Sequence, residues 1–172
     1  RRGVPAGPTG LLVLPHFSGS GTPWFDTHSR GAILGLSFST RKADIAKAVL
    51  EGLTCELCVN LDLLKEGGVQ IDTLRAIGGG AKSDLWLQMK ADITGIPVVA
   101  PRITEASGLG AAVLAGVGAG IYTDASRAIE GILRFRREFL PDPKCQQAYE
   151  RQFALYKQVY PAIKPITNQM DN

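Results

Sequence analysis

Apolar positions along the chain follow two rhythms. Short continuous runs bounded by Gly and Pro, namely Gly10-Leu11-Leu12-Val13-Leu14, Gly31-Ala32-Ile33-Leu34-Gly35-Leu36 and Pro97-Val98-Val99-Ala100, read as buried strands. Ile71, Leu74 and Ile77 alternate more weakly and mark a further strand. Between these runs the spacing is helical. Ile45, Val49, Leu53, Leu57 and Leu61 recur every four residues, Leu64 continues the face, Thr40 stands where an N-cap belongs, and Gly67-Gly68 is the stop. A second helix starts at Ser83-Asp84, takes its buried face from Leu85, Trp86, Met89 and Ile93, and stops at Gly95. Small residues run from Ser107, read as a cap, to about Gly120. Thr123 or Asp124 opens a fourth helix to about Phe135. The last helix spans about Asp142 to Tyr160, with Tyr149, Phe153, Tyr156 and Tyr160 on one face as packing. Strands alternating with helices predict an α/β fold. No repeat and no boundary interrupts the pattern, so residues 1–172 read as one domain.

Composition narrows the classes. A chain of 172 residues, 45% hydrophobic and 20% charged, is long enough to bury roughly 70% of its extended surface, which excludes disorder and coiled coil. No apolar run approaches the roughly 18 residues of a membrane span, and no long apolar core follows Arg1-Arg2-Gly3-Val4-Pro5-Ala6-Gly7 to make a secretion signal. Three cysteines form no disulfide framework; Cys55 and Cys58 sit in a helical pattern and fill core, which predicts a reduced, cytoplasmic chain. The net charge of +3 comes from 19 Lys+Arg against 16 Asp+Glu. It is dispersed except at Arg134, Arg136 and Arg137, which are assigned to a polar helix rim, and no nucleic-acid partner is expected.

Candidate chemistry concentrates at one place. A strand runs into Gly78-Gly79-Gly80-Ala81-Lys82-Ser83 and then into a capped helix. Glycines let a phosphate approach the backbone, and a helix N-terminus offers unpaired N–H groups with partial positive charge. The turn is not a Walker A loop, because Ala81 precedes Lys82, nor a dinucleotide fingerprint, because Ser83 replaces the third glycine. Gly108-Leu109-Gly110 lies inside a helix, so an oxidoreductase reading has little behind it. The small residues at 108, 111, 112, 115, 116 and 119 predict close approach to a neighbour, with Glu105 the polar residue near the helix entrance. His16 and His28 lack metal spacing. Asp26, Asp44, Glu51, Glu56, Asp84, Asp92 and Glu105 form no recognisable acid–base pair, and no nucleophile with its base can be named.

These residues resemble the C-terminal part of FGGY-family carbohydrate kinases. Gly31-Ala32-Ile33-Leu34-Gly35-Leu36, seven residues, then Asp44-Ile45-Ala46-Lys47-Ala48-Val49-Leu50-Glu51 fits the family's second signature. Leu14-Pro15-His16-Phe17-Ser18-Gly19, Thr22-Pro23-Trp24-Phe25-Asp26 and Arg30-Gly31 are similar to the segment before it. Gly78 to Ser83 is similar to the adenosine-binding turn, and Glu105 to Ala112 to the helix after it; the Tyr-rich last helix also resembles the family's end. The resemblance implies a partial actin-like, ribonuclease-H-like ATPase domain. It implies transfer of the γ-phosphoryl of ATP, with Mg2+, to a hydroxyl of a sugar or polyol. Gly79, Gly80 and Ala81 would lie along phosphates and ribose, and Ser83 near adenosine. The magnesium would be held mainly through the phosphates and a first domain. That first domain supplies the family's catalytic aspartate, and no stretch here resembles its surroundings. The chain is therefore expected to be an ATP-binding piece, inactive alone, with the first domain of the same protein as its partner. A pentulose such as xylulose is the favoured acceptor, with glycerol, gluconate or a deoxysugar as alternatives. The rival reading is a non-catalytic protein-interaction module, whose exposed apolar patches would also support a homodimer.

Overall fold

A computed structural model describes residues 6–170; Arg1–Pro5, which carry most of the stretch read as no secretion signal, lie outside the described residues. The elements run β1 (Leu12–Leu14), β2 (Ala32–Leu34), α1 (Lys42–Glu66), β3 (Leu74–Arg75), a single 3-10 turn (Gly79–Lys82), α2 (Asp84–Thr94), β4 (Val98–Pro101), α3 (Ala106–Gly118), α4 (Ala125–Ile132), β5 (Phe135–Phe139) and α5 (Pro143–Thr167). They gather into two compact units. The first contains residues 6–71, 92–95 and 141–170, the second residues 72–91 and 96–140. The chain passes between them four times: after residue 71, inside α2 after residue 91, after residue 95 and just after β5 at residue 140.

In the first unit β1 and β2 form an antiparallel pair with Val13 opposite Ile33. Both α1 and α5 pack on β1. Gly52 is what allows α1 to lie directly on the strand, because a Cβ there would drive into the Val13 carbonyl. The buried side of α1 follows the stripe expected from the sequence only in part: Leu61 is buried and Ile45 and Val49 pack against the core at Leu11 and Val13. Ala48, Glu51, Gly52, Cys55, Cys58 and Leu61 are buried, whereas Leu53 and Leu64 are exposed. Strict four-residue spacing advances about 40° per step around a helix, so such a stripe winds off any flat contact. Nor does Thr40 cap: its hydroxyl accepts from the Ser37 N–H at 2.9 Å. Arg41 is the N-cap, with Asp44 accepting its backbone N–H at 2.9 Å. α5 runs past Tyr160, its expected end, through Pro161 to Thr167. Tyr160 and Lys164 on either side of that proline both reach Asp26, at 2.7 and 3.7 Å.

The second unit is a three-stranded sheet ordered β3-β4-β5, parallel between β3 and β4 and antiparallel between β4 and β5. Val98 and Ala100 of β4, Phe139 of β5 and Leu87 and Ala91 of α2 make its core. Leu87, not the expected Leu85, is the fully buried leucine of α2; Leu85 is exposed. β5 replaces the end of the helix expected to reach Phe135. Its run Phe135-Arg136-Arg137-Glu138-Phe139 has no apolar alternation, and pairing with the buried β4 is what makes it a strand. The arginines assigned to a helix rim thus lie on, or immediately before, a strand. α3 begins at Ala106 with Glu105 as N-cap, so Ser107 is inside its first turn. Its expected close approach occurs at Gly116, against the Tyr122 ring; Cβ atoms at Gly108, Gly110 and Gly118 would meet nothing.

Candidate functional site

Parallel strands β3 and β4 end side by side, and the loops that leave them are joined by the Gly78 N–H donating to the Thr104 carbonyl at 2.8 Å. The carboxyl ends of neighbouring parallel strands are where open α/β sheets receive ligands. Gly78 turns the chain with φ of +72°, a conformation that costs glycine nothing. The 3-10 turn follows, and its first internal bond is from the Ala81 N–H to the Gly78 carbonyl at 3.1 Å. The N–H groups of Gly79 and Gly80 come before that bond and belong to the unsatisfied start of the turn.

The four residues singled out from the sequence have different surroundings here. A Cβ at Gly79 would meet nothing within 4 Å, so its face is open to solvent. Gly80 is open only to a ring: its Cβ would come 2.7 Å from the Trp86 side chain, which in turn carries the Lys90 ammonium 4.3 Å above it. Ala81 is 1% exposed and sits in the sheet core, so only its backbone can face a ligand. Ser83 is exposed and caps α2, its hydroxyl accepting the Trp86 N–H at 3.3 Å. Trp86 could be read from the sequence only as an apolar residue; the close contact with Gly80 depends on the turn between them.

Charge around the turn is paired and exposed. Lys82 reaches Glu105 at 3.8 Å, linking the turn to the start of α3. Asp84 opens α2 and accepts from Arg136 at 2.6 Å and from Arg137 at 3.2 Å, both from β5. The Arg136 hydrogen bond holds the Asp84 carboxyl below its usual range, with the charges of Arg136 and Arg137 adding to the effect. Beneath α3 an apolar cleft of about 200 Å³ is lined by Ile77, Ile103, Leu109 and Phe135, with Arg75 at its wall.

The first unit holds the other concentration of polar groups, and these are buried. His16 is 3% exposed; its Nδ1 lies 2.7 Å from the Ser29 hydroxyl and its Nε2 3.3 Å from Glu56. The order serine–imidazole–carboxylate suggests nucleophilic catalysis, but Ser29 has no exposed surface and no substrate could reach it. The group pins the loop after β1. Tyr156 donates to Glu56 at 2.5 Å, and burial, with Glu56 adding, pushes its hydroxyl far above the usual range so that it stays a donor. Cys55 and Cys58 are buried, as expected, and burial raises both thiols, Cys58 to about 12.

Residues 2–119 match the model of the FGGY family of carbohydrate kinases, C-terminal domain. A xylulose kinase of Staphylococcus epidermidis is 34% identical over 161 residues, which are 94% of this chain and 32% of that protein. A glycerol kinase of Variovorax paradoxus is 39% identical over 146 residues, 82% of this chain and 29% of that protein. The crystal structure of a ligand-bound xylulose kinase from Lactobacillus acidophilus superposes with a TM-score of 0.84 at 29% identity, covering 97% of this chain and 34% of the other. The chain thus spans about a third of the length of the proteins it matches.

Proposed function

The chain belongs to the FGGY family of carbohydrate kinases, and we propose that it supplies the nucleotide-binding part of an enzyme that transfers the γ-phosphoryl of ATP to a sugar hydroxyl. The actin-like ATPase fold implied by the sequence holds. The observation that carries the reading is the open Gly79 backbone at the end of β3, next to the capped start of α2. Phosphoryl transfer asks a protein chiefly for positioning and electrostatic stabilisation. In this reading the N–H groups of Gly79 and Gly80 and the backbone of Ala81 face phosphates and ribose. Ser83 orders α2 and lies toward the nucleoside. Among the described residues no group of three or more His, Cys, Asp or Glu gathers to ligate a metal. Magnesium, which neutralises phosphate charge when bound, would be held mainly through the phosphates and a first domain. The catalytic base comes from a first domain of the same enzyme, and this chain alone is inactive in transfer. A ketopentose such as xylulose is the favoured acceptor, supported by the xylulose kinases that match 94% and 97% of this chain, with glycerol as the alternative.

The test is calorimetric titration of MgATP into the protein and its Gly79→Asp variant. A carboxylate at an open position leaves the fold intact and repels phosphate, so affinity should fall at least about tenfold with melting unchanged. Equal affinities would reject the turn as the nucleotide site. Gly80→Asp is a poorer probe, since it strikes Trp86 before it meets any ligand.

A further inference from the structure

Consecutive residues of a regular strand point to opposite faces, yet Arg136 and Arg137 grip the same carboxylate. The register between β4 and β5 explains this. Ala100 faces Arg137 and Pro101 faces Phe135, so the ladder slips at this step and Arg136 has no opposite residue. An irregularity of this kind re-aims a side chain. Here it brings two adjacent arginines to Asp84 at the first residue of α2. Arg137 is further fixed by lying 4.8 Å over the Phe139 ring, which is anchored in the core. Arg134, the third of the cluster, takes no part: its guanidinium turns back to the Leu133 carbonyl at 2.8 Å.

Asp84 poses an electrostatic problem for the nucleotide reading. An acidic residue in the first turn stabilises a helix, but it also cancels the positive end that would attract a phosphate. The arginine fork removes the conflict. With Lys82 and Glu105 counted, three cations stand against two carboxylates around the turn.

We infer that Arg136 and Arg137 act on the nucleotide turn electrostatically, neutralising Asp84 at the first residue of α2 and so keeping that helix start attractive to a polyphosphate. The inference rests on the reading of Gly79 as the phosphate site and assigns a role to a strand that carries none of the family's motifs quoted above.

MgATP affinity of the protein is measured by calorimetry for Arg136→Gln, Asp84→Asn, the pair combined, and Arg136→Lys, at low and at high ionic strength. Arg136→Gln should weaken binding about fivefold at low salt and by less as salt screens the charge. Asp84→Asn should not weaken it. The combined variant should return close to the parent, and Arg136→Lys should retain most of the affinity. A fork of purely structural value would make Asp84→Asn as damaging as Arg136→Gln, without dependence on salt, and either result overturns the inference. So does an Arg136→Gln affinity within twofold of the parent. If Gly79→Asp abolishes binding while Arg136→Gln leaves it intact, the fork fails and the nucleotide reading stands. If Gly79→Asp also leaves it intact, the reading itself fails.

Discussion

The two units handle charge in opposite ways. In the first unit the ionisable groups around Glu51 and His16 are buried and bonded across long stretches of sequence. Glu51, 1% exposed, accepts from the Thr9 hydroxyl at 2.6 Å, the Tyr149 hydroxyl at 3.0 Å and the Gln152 amide at 3.2 Å, and pairs with buried Lys47 at 3.5 Å. In the second unit the centre is apolar, from Leu87 to Phe139, and Asp84, Arg136, Arg137, Lys82 and Glu105 stand at the surface. Buried, a charge is costly unless fully partnered, and it then constrains the segments that partner it. Exposed, it is cheap and remains available to a ligand. The first arrangement joins segments; the second leaves its charges at the surface.

The largest expected effect probes the buried network. Glu51→Ala leaves Lys47 and the Thr9, Tyr149 and Gln152 donors without their common acceptor, and should cost about 4 kcal/mol in a denaturant melt. A cost under about 1 kcal/mol would mean that the network adds no constraint. Next comes Leu87→Ala, which opens a cavity in an apolar core and should cost about 3 kcal/mol. A loss well below that would indicate that the second unit collapses around the cavity and is less tightly packed than its burial suggests. The smallest effect is at the start of α1. Arg41 holds the Asp44 carboxyl at about 2, below its ordinary 3.8. A depressed acid contributes stability in full above its unfolded value and loses it as pH falls through the folded one. Asp44→Ala should therefore lower the melting temperature slightly at neutral pH, and the difference should vanish as pH falls through about 2. A difference that persists below that range would assign the stabilisation to packing by Asp44.

Much of the fold was legible in the sequence because local signals and tertiary needs agreed. The strands at Leu12–Leu14 and Val98–Pro101 coincide with apolar runs between Gly and Pro, and α1, α2 and α5 with long periodic segments. Asp124 and Asp142 cap α4 and α5 through their side chains at 2.8 Å. β5 was hidden, because three charged residues in succession carry no strand pattern and only the pairing with β4 orders them. The inner face of α1 was only partly legible, since Leu53, Leu63 and Leu64 of this helix are exposed and Leu61 is buried. At the candidate site the glycine turn and its Ser83 cap could be read directly. Trp86 over Gly80 and the arginines on Asp84 could not, because each depends on a contact between segments.

By itself the sequence determined the α/β class, the family, the turn after β3 and the capped helix that follows it. All of these rest on residues close together in the chain, where spacing and backbone preference are sufficient. Tertiary structure alone decided that Gly78 and Gly79 face open space while Gly80 meets Trp86, which leucines are buried, and which charges meet. It placed Glu51 among residues 9, 149 and 152 and carried Arg136 across 52 positions to Asp84. Pairings over such separations depend on how strands and helices pack, and no local pattern encodes that.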